Sequence, residues 1–267
     1  MQQITLKKKK LNFQAREAFK MLRTNVEFGG EDMKVISVTS SMPGEGKSTI
    51  AYQLALSFAA KGKKTLLVDG DLRKSILQRV SASGNVKQGL SDYLVGKAKL
   101  MDVLVGTDEP NFFIMFSGHI PPNPSELLGS ARFEAMLESA KKAFDIVVID
   151  TPPVGSVIDG VVVSSRTDGI VLVVKQSMIS YKLVQRVKEQ LQTAGGKIIG
   201  VALNGVDSRG GGYYGKYYGR YYGRYYGKRY GSYYGDYYGM KSVNETETED
   251  TNEVDTNGFR LENKEHD

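Results

Sequence analysis

Six short runs of the chain are built almost wholly from Val, Ile, Leu and Phe, and they leave little choice of fold. They are VISVT at 35–39, TLLVD at 65–69, FFIMF at 112–116, DIVVID at 145–150, IVLVV at 170–174 and IIGVAL at 198–203. None alternates apolar with polar residues as a strand with one wet face does, so each is expected to be buried on both faces. Helical patterns fill the gaps at 48–61, 130–144 and 180–194. This alternation predicts an α/β fold, a doubly wound parallel sheet spanning residues 33–206.

Residues 1–32 precede that domain. Within them, 14–28 form an amphipathic pattern with Ala15, Phe19, Leu22 and Val26 on one face, while Arg16, Glu17, Lys20 and Arg23 share an adjacent arc of about 120°. The four lysines at 7–10 are followed by no apolar stretch of signal-peptide length, and no run is long enough to cross a bilayer. A cytoplasmic protein is expected. The chain has no Cys, and His119 and His266 are far apart, so neither disulfides nor a transition-metal site is expected.

The first apolar run leads into Ser40-Ser-Met-Pro-Gly-Glu-Gly-Lys-Ser-Thr49, and a helical pattern follows. Strand, glycine loop and helix in that order are what a phosphate-binding loop requires. Ser41 stands where the usual pattern has its first glycine, followed by Met42, Pro43, Gly44, Glu45, Gly46, Lys47, Ser48 and Thr49. Gly44 and Gly46 let amides turn toward phosphate oxygens, Lys47 reaches the β and γ phosphates, and Ser48 is a Mg²⁺ ligand. The domain is therefore expected to be a P-loop nucleotidase using ATP and Mg²⁺.

Asp69 and Asp71 follow the second run and Asp150 ends the fourth, where open α/β sheets bind their ligands. Asp150 is placed as the second metal anchor, and a carboxylate not committed to metal is placed to take a proton from an attacking hydroxyl. Arg73, two residues past Asp71, is positioned either to bind phosphate or to hold the loop.

After Asp207 the sequence becomes a repeat of Tyr-Tyr-Gly-x. It holds Tyr213, Tyr214, Tyr217, Tyr218, Tyr221, Tyr222, Tyr225, Tyr226, Tyr230, Tyr233, Tyr234, Tyr237 and Tyr238, 13 of the chain's 16 tyrosines. Residues 209–241 carry seven basic side chains against one acidic, a net charge of +6, and the stretch 240–267 is acidic. So many glycines with so few aliphatics cannot build a core, and both the tyrosine segment at 207–239 and the end at 240–267 are expected to be disordered.

These motifs resemble those of the bacterial tyrosine kinases of capsule and exopolysaccharide operons. That family has a Walker A loop, here Ser41 to Ser48, an acidic Φ3-D-x-D-x-R motif, here Leu66 to Arg73, a Walker B Φ3-D-x-x-P, here Val147 to Pro152, and a C-terminal tyrosine cluster. Gly118 to Leu128 is similar to the family's Gly-x-x-Pro-Pro-Asn-Pro-x-Glu-Leu-Leu. The resemblance implies ATP-dependent autophosphorylation of the cluster, with Lys47 on the phosphates, Asp69 as base toward tyrosine, Asp71 and Ser48 on Mg²⁺, and Asp150 on the metal through water. It also implies that Asn204 lies near adenine and that Glu17, Lys20 and Arg23 serve ring-shaped self-association, with Lys20 in place of the family's first Arg. By the same resemblance the chain matches the form that a transmembrane polysaccharide adaptor recruits to the inner face of the plasma membrane, with a phosphotyrosine phosphatase as counterpart.

Two other readings fit parts of the chain. A partitioning-type ATPase has the same fold but places a second lysine early in its phosphate loop, where this chain has Met42. A single-stranded nucleic-acid binder would use the interleaved Tyr, Arg and Lys as a stacking and electrostatic platform.

Overall fold

The computed structural model describes residues 2–7, 10–30, 32–83 and 86–206. The tyrosine segment and the acidic end lie outside the described residues. In chain order the elements are β1 (Gln2–Leu6), α1 (Phe13–Glu27), β2 (Val35–Ser40), α2 (Lys47–Ala59), β3 (Thr65–Asp69), α3 (Leu77–Ser81), β4 (Ala82–Ser83), α4 (Leu90–Leu94), β5 (Val105–Thr107), β6 (Phe112–Met115), α5 (Pro124–Leu128), α6 (Ala131–Ala143), β7 (Ile146–Asp150), α7 (Asp159–Ser164), β8 (Gly169–Lys175), α8 (Tyr181–Thr193) and β9 (Ile198–Asn204).

All the strands join one sheet in the order β4-β1-β5-β6-β3-β7-β2-β8-β9. The six from β6 to β9 are mutually parallel, and they are the six apolar runs, with no end displaced by more than one residue, but β9, at the sheet edge, leaves Gly200, Val201 and Leu203 exposed and is not buried on both faces as expected. Beyond β6 the sheet continues through three short strands that the sequence pattern does not announce. β5 runs antiparallel to β6, β1 parallel to β5, and β4 antiparallel to β1. The N-terminal segment thus contributes a sheet strand as well as its helix. β1 buries Ile4 and Leu6 while Gln2, Gln3 and Thr5 remain exposed, which is the signature of a strand with one covered face.

Successive residues of the central strands point to opposite faces, so one strand feeds two cores. Ile36, Val38, Leu67 and Val148 pack with α2 on one face, where Phe19, Leu22 and Val26 of α1 add a second layer. Val35, Leu66, Val68, Val147 and Ile149 pack with Phe133, Met136 and Leu137 of α6 on the other. Near β8 that second face is completed by Val187 and Leu191 of α8 against Ile170 and Leu172. Helix starts follow local chemistry: the side chains of Asn12, Ser130 and Ser180 accept from the main-chain N–H of Ala15, Phe133 and Leu183 at the first turns of α1, α6 and α8.

From β2 the chain crosses through α2 to β3, passing over β7, whereas β8 lies on the other side of β2. Loops leaving adjacent strands in opposite directions open a crevice at the carboxyl edge of the sheet. Parallel register brings Asp69 and Asp150 opposite each other at that edge, with Val38 of β2 opposite Asp150. Among the described residues no helix is long and apolar enough to cross a membrane.

Candidate active site

The loop from Ser40 to Gly46 joins β2 to α2 and opens at this edge. Gly44 and Gly46 adopt left-handed φ values of +87° and +93°, which turn the loop back on itself before the helix begins. Glu45 points inward and is fully buried. Its carboxylate accepts from the N–H of Met42 at 2.6 Å and from the N–H of Lys175 on β8 at 3.1 Å, so it shapes the loop and ties it to the sheet. Asn204, at the end of β9, donates from Nδ2 to the Glu45 carbonyl at 2.8 Å. A Cβ on Gly46 would strike that amide. Met42, Pro43 and Thr49 are exposed around the loop, whereas Ser41 is buried and its hydroxyl has no hydrogen-bond partner among the described residues.

Lys47 begins α2 and runs into a set of acids. Its Nζ lies 3.4 Å from Asp71 Oδ2, 3.5 Å from Asp150 Oδ1 and 3.3 Å from Ser48 Oγ. Burial by itself would drive off the lysine proton, but Asp150, Asp71 and Asp69 outweigh it and hold the ammonium above its ordinary range. Burial pushes the Asp150 carboxyl up, against the pull of Lys47 and a hydrogen bond from Ser48. Asp69, fully buried at the end of β3, is pushed up to about 7, first by burial and then by the charge of Asp150. A carboxylate poised there is suited to general-base work near neutral pH.

Asp71 accepts from the N–H of Lys74 at 3.0 Å through Oδ1, a local turn that aims Oδ2 at Lys47. Three buried carboxylates facing one lysine leave an excess of negative charge. Hard oxygen donors in such excess suit Mg²⁺. Among the described residues no group of three His, Cys, Asp or Glu side chains is arranged to hold a metal alone. Ser48, Asp71 and Asp150 supply hard oxygen donors of the kind that Mg²⁺ takes.

Two residues at this edge were not foreseen. Ser75 donates its hydroxyl to Asp69 Oδ2, and Asp159, fully buried at the start of α7, forms a two-pronged ion pair with Arg73. Arg73 is thereby engaged in holding the loop. Asp159 carried one weak signal, being the sole acid between Asp150 and Asp168, but Ser75 carried none. The 118–128 segment leaves β6 on the same edge, where His119 Nδ1 meets Asp92 Oδ1 at 2.7 Å and Pro124 opens α5.

The residues expected to mediate self-association stand apart, on α1. Glu17 and Lys20 pair with each other at 2.8 Å on the exposed surface, while Arg23 donates to the Ser57 carbonyl of α2 at 2.8 Å within its own chain. The 13 tail tyrosines lie outside the described residues.

A family model described as an AAA domain matches residues 33–197. The tyrosine-protein kinase CpsD of Streptococcus agalactiae is 43% identical over 192 residues, covering 72% of this chain and 83% of that protein. The kinase domain of the Escherichia coli tyrosine kinase Etk matches with a TM-score of 0.69 and 34% identity, over 74% of this chain and 78% of that one. The septum site-determining protein MinD of Pyrococcus horikoshii, solved with Mg-ADP, has a TM-score of 0.55 and 27% identity, over 66% of this chain and 73% of that one.

Proposed function

Since the chain belongs to the family of bacterial tyrosine-protein kinases, we propose that it transfers the γ-phosphoryl of ATP to the tyrosines of its own C-terminal segment, between subunits, and so regulates capsule or exopolysaccharide synthesis. The observation that carries this reading is the position of Asp69, fully buried opposite Asp150 at the sheet edge where Lys47 meets Asp71 and Asp150, with burial pushing its carboxyl up to about 7.

The steps follow from the chain's own groups. Amides of the 41–48 loop and the Lys47 ammonium hold the β and γ phosphates. Ser48, Asp71 and Asp150 would hold Mg²⁺, which would supply positive charge against the transferring phosphoryl. Asp69 accepts the tyrosine proton as the phenol oxygen bonds to phosphorus and the bond to the ADP oxygen breaks. A phenol has a pKa of about 10, so a base helps chiefly as the new bond forms. Asn204 pins the loop from the far side, close to where the adenine is placed by this reading.

Access of the tail to a neighbouring subunit is supported by chain geometry. β9 ends at Asn204 on the catalytic edge, and the nine residues from there to Tyr213 reach at most about 30 Å. Glu17, Lys20 and Arg23 on α1 are proposed to build the ring. A transmembrane adaptor is proposed to bring the kinase to the inner membrane face and a phosphotyrosine phosphatase to reset it.

Purified chain with Mg²⁺ and ATP, probed for phosphotyrosine, tests the proposal, with Lys47→Met and a truncation after Asp207 as controls. Phosphotyrosine is expected in the intact chain alone. Its absence, even with the adaptor's cytoplasmic segment added, would overturn the reading.

A further inference from the structure

Asp69 has no exposed surface, and both of its carboxylate oxygens are engaged. Oδ1 accepts from the N–H of Asp71 at 3.3 Å, a long and weak contact. Oδ2 accepts from the hydroxyl of Ser75. A general base must receive a hydrogen bond from the hydroxyl it deprotonates. At Asp69 an aliphatic hydroxyl already makes that bond.

We propose that Ser75 holds the place of the acceptor hydroxyl at Asp69, so that an incoming tyrosine phenol must displace it before phosphoryl transfer. The inference rests on Asp69 being the base. Ser75 Oγ also accepts from the N–H of Leu77 at 3.1 Å, which favours this rotamer at the mouth of α3. On the other side the loop is pinned by Arg73, through Nε and Nη2, to the buried Asp159. The segment between Asp71 and Leu77 is therefore held at both ends, and the small movement that frees Asp69 is rotation of Ser75 about χ1 between staggered wells. Ser75 then acts as a selectivity element. A phenol delivered at high local concentration displaces it, while water and weakly held hydroxyls must compete with a hydroxyl already in place.

The test uses the full chain with its 13 tail tyrosines changed to Phe, acting on an added peptide of residues 213–238 at saturating Mg-ATP. Ser75→Ala is expected to lower the KM for the peptide by roughly tenfold or more, the worth of one hydrogen bond to a charged group. Ser75→Thr, which keeps the hydroxyl, should retain the parent KM. If the alanine variant does not fold, Ser75→Cys, with its weak S–H donor, carries the same expectation of a lower KM. An unchanged or raised peptide KM in a folded Ala or Cys variant overturns the inference. Asp69→Asn separates this failure from failure of the underlying reading. Transfer by Asp69→Asn at the parent rate removes Asp69 as base, whereas an inactive Asp69→Asn beside an unlowered KM in Ser75→Ala removes only the role of Ser75.

Discussion

Arg73 grips Asp159 through both ends of its guanidinium, Nε to Oδ2 at 2.7 Å and Nη2 to Oδ1 at 3.0 Å, and so fastens the loop after β3 to the first turn of α7. The pair thus ties together the segments that leave two neighbouring strands, β3 and β7. Arg73→Ala would leave a buried carboxylate without its partner, a loss of about 1–3 kcal/mol. It should also let the Asp69–Asp71 loop drift, slowing transfer by roughly tenfold to a hundredfold. Arg73→Lys keeps the charge but not the fork and should fall between. Nucleotide-free melting curves and initial rates of phosphotyrosine formation report the two effects separately.

The raised pKa of Asp69 has opposite consequences for stability and for activity. In the unfolded chain this carboxyl titrates near 4. In the fold it titrates at about 7, so the folded state binds the proton more tightly. Its contribution to stability is complete below about pH 4 and is lost as pH rises through 7. Asp69→Asn removes the buried charge, and in EDTA at pH 8 the variant should be more stable than the parent by up to roughly 4 kcal/mol. The two should converge as pH falls toward 4. Transfer needs the deprotonated acid, so the rate of the parent should climb over the same range. Equal melting temperatures for both proteins at pH 8 would contradict the burial argument.

Gly46 and Asn204 test whether the last strand sets the shape of the phosphate loop. Asn204→Ala removes the bond to the Glu45 carbonyl and should weaken ADP binding by about threefold to tenfold. Gly46→Ala should weaken it more, because the new Cβ meets the Asn204 amide and because φ of +93° costs a non-glycine residue about 1–2 kcal/mol. The double variant has room for the Cβ yet keeps the strained φ. Its affinity, measured by calorimetry with Mg-ADP, should remain below that of Asn204→Ala. Recovery to the Asn204→Ala value would mean that the loop needs space and not a left-handed turn.

The parts of this molecule legible in the sequence are those whose chemistry is local. Val35 to Ser40 and Ile146 to Asp150 are buried on both faces, so their apolar runs announce strands directly. β1 hides because Ile4 and Leu6 alternate with polar residues over five positions, a pattern too short to distinguish from a tail. Asp69, Asp71 and Asp150 are readable because a carboxylate after an apolar run must fall at a strand end. Ser75 and Asp159 take their meaning from partners 6 and 86 residues away, through a fold no spacing rule encodes. Glu45 is an intermediate case: its place in the loop is evident, but its turn inward to the N–H of Lys175 requires β8 to lie alongside.

The tail offers a prediction drawn from charge. Residues 209–241 carry a net +6, and each phosphate adds about −1.5 to −2, so three or four phosphotyrosines neutralise the segment. A ring held by docking of that basic, unmodified tail at a neighbouring site, whose buried acids outnumber its lysine, should loosen as phosphate accumulates. Size-exclusion chromatography of fully phosphorylated chain against Lys47→Met chain reads this directly, with the Lys47→Met protein expected to elute as the larger species. The α1 residues separate ring contacts from folding. Among the described residues Glu17 pairs with Lys20 on an exposed face, so Glu17→Ala should reduce assembly with little change in melting temperature. Arg23 reaches the Ser57 carbonyl and joins α1 to α2, so Arg23→Ala should lower both. If phosphorylated and Lys47→Met proteins elute at one size while Glu17→Ala dissociates, the ring exists but the tail does not control it.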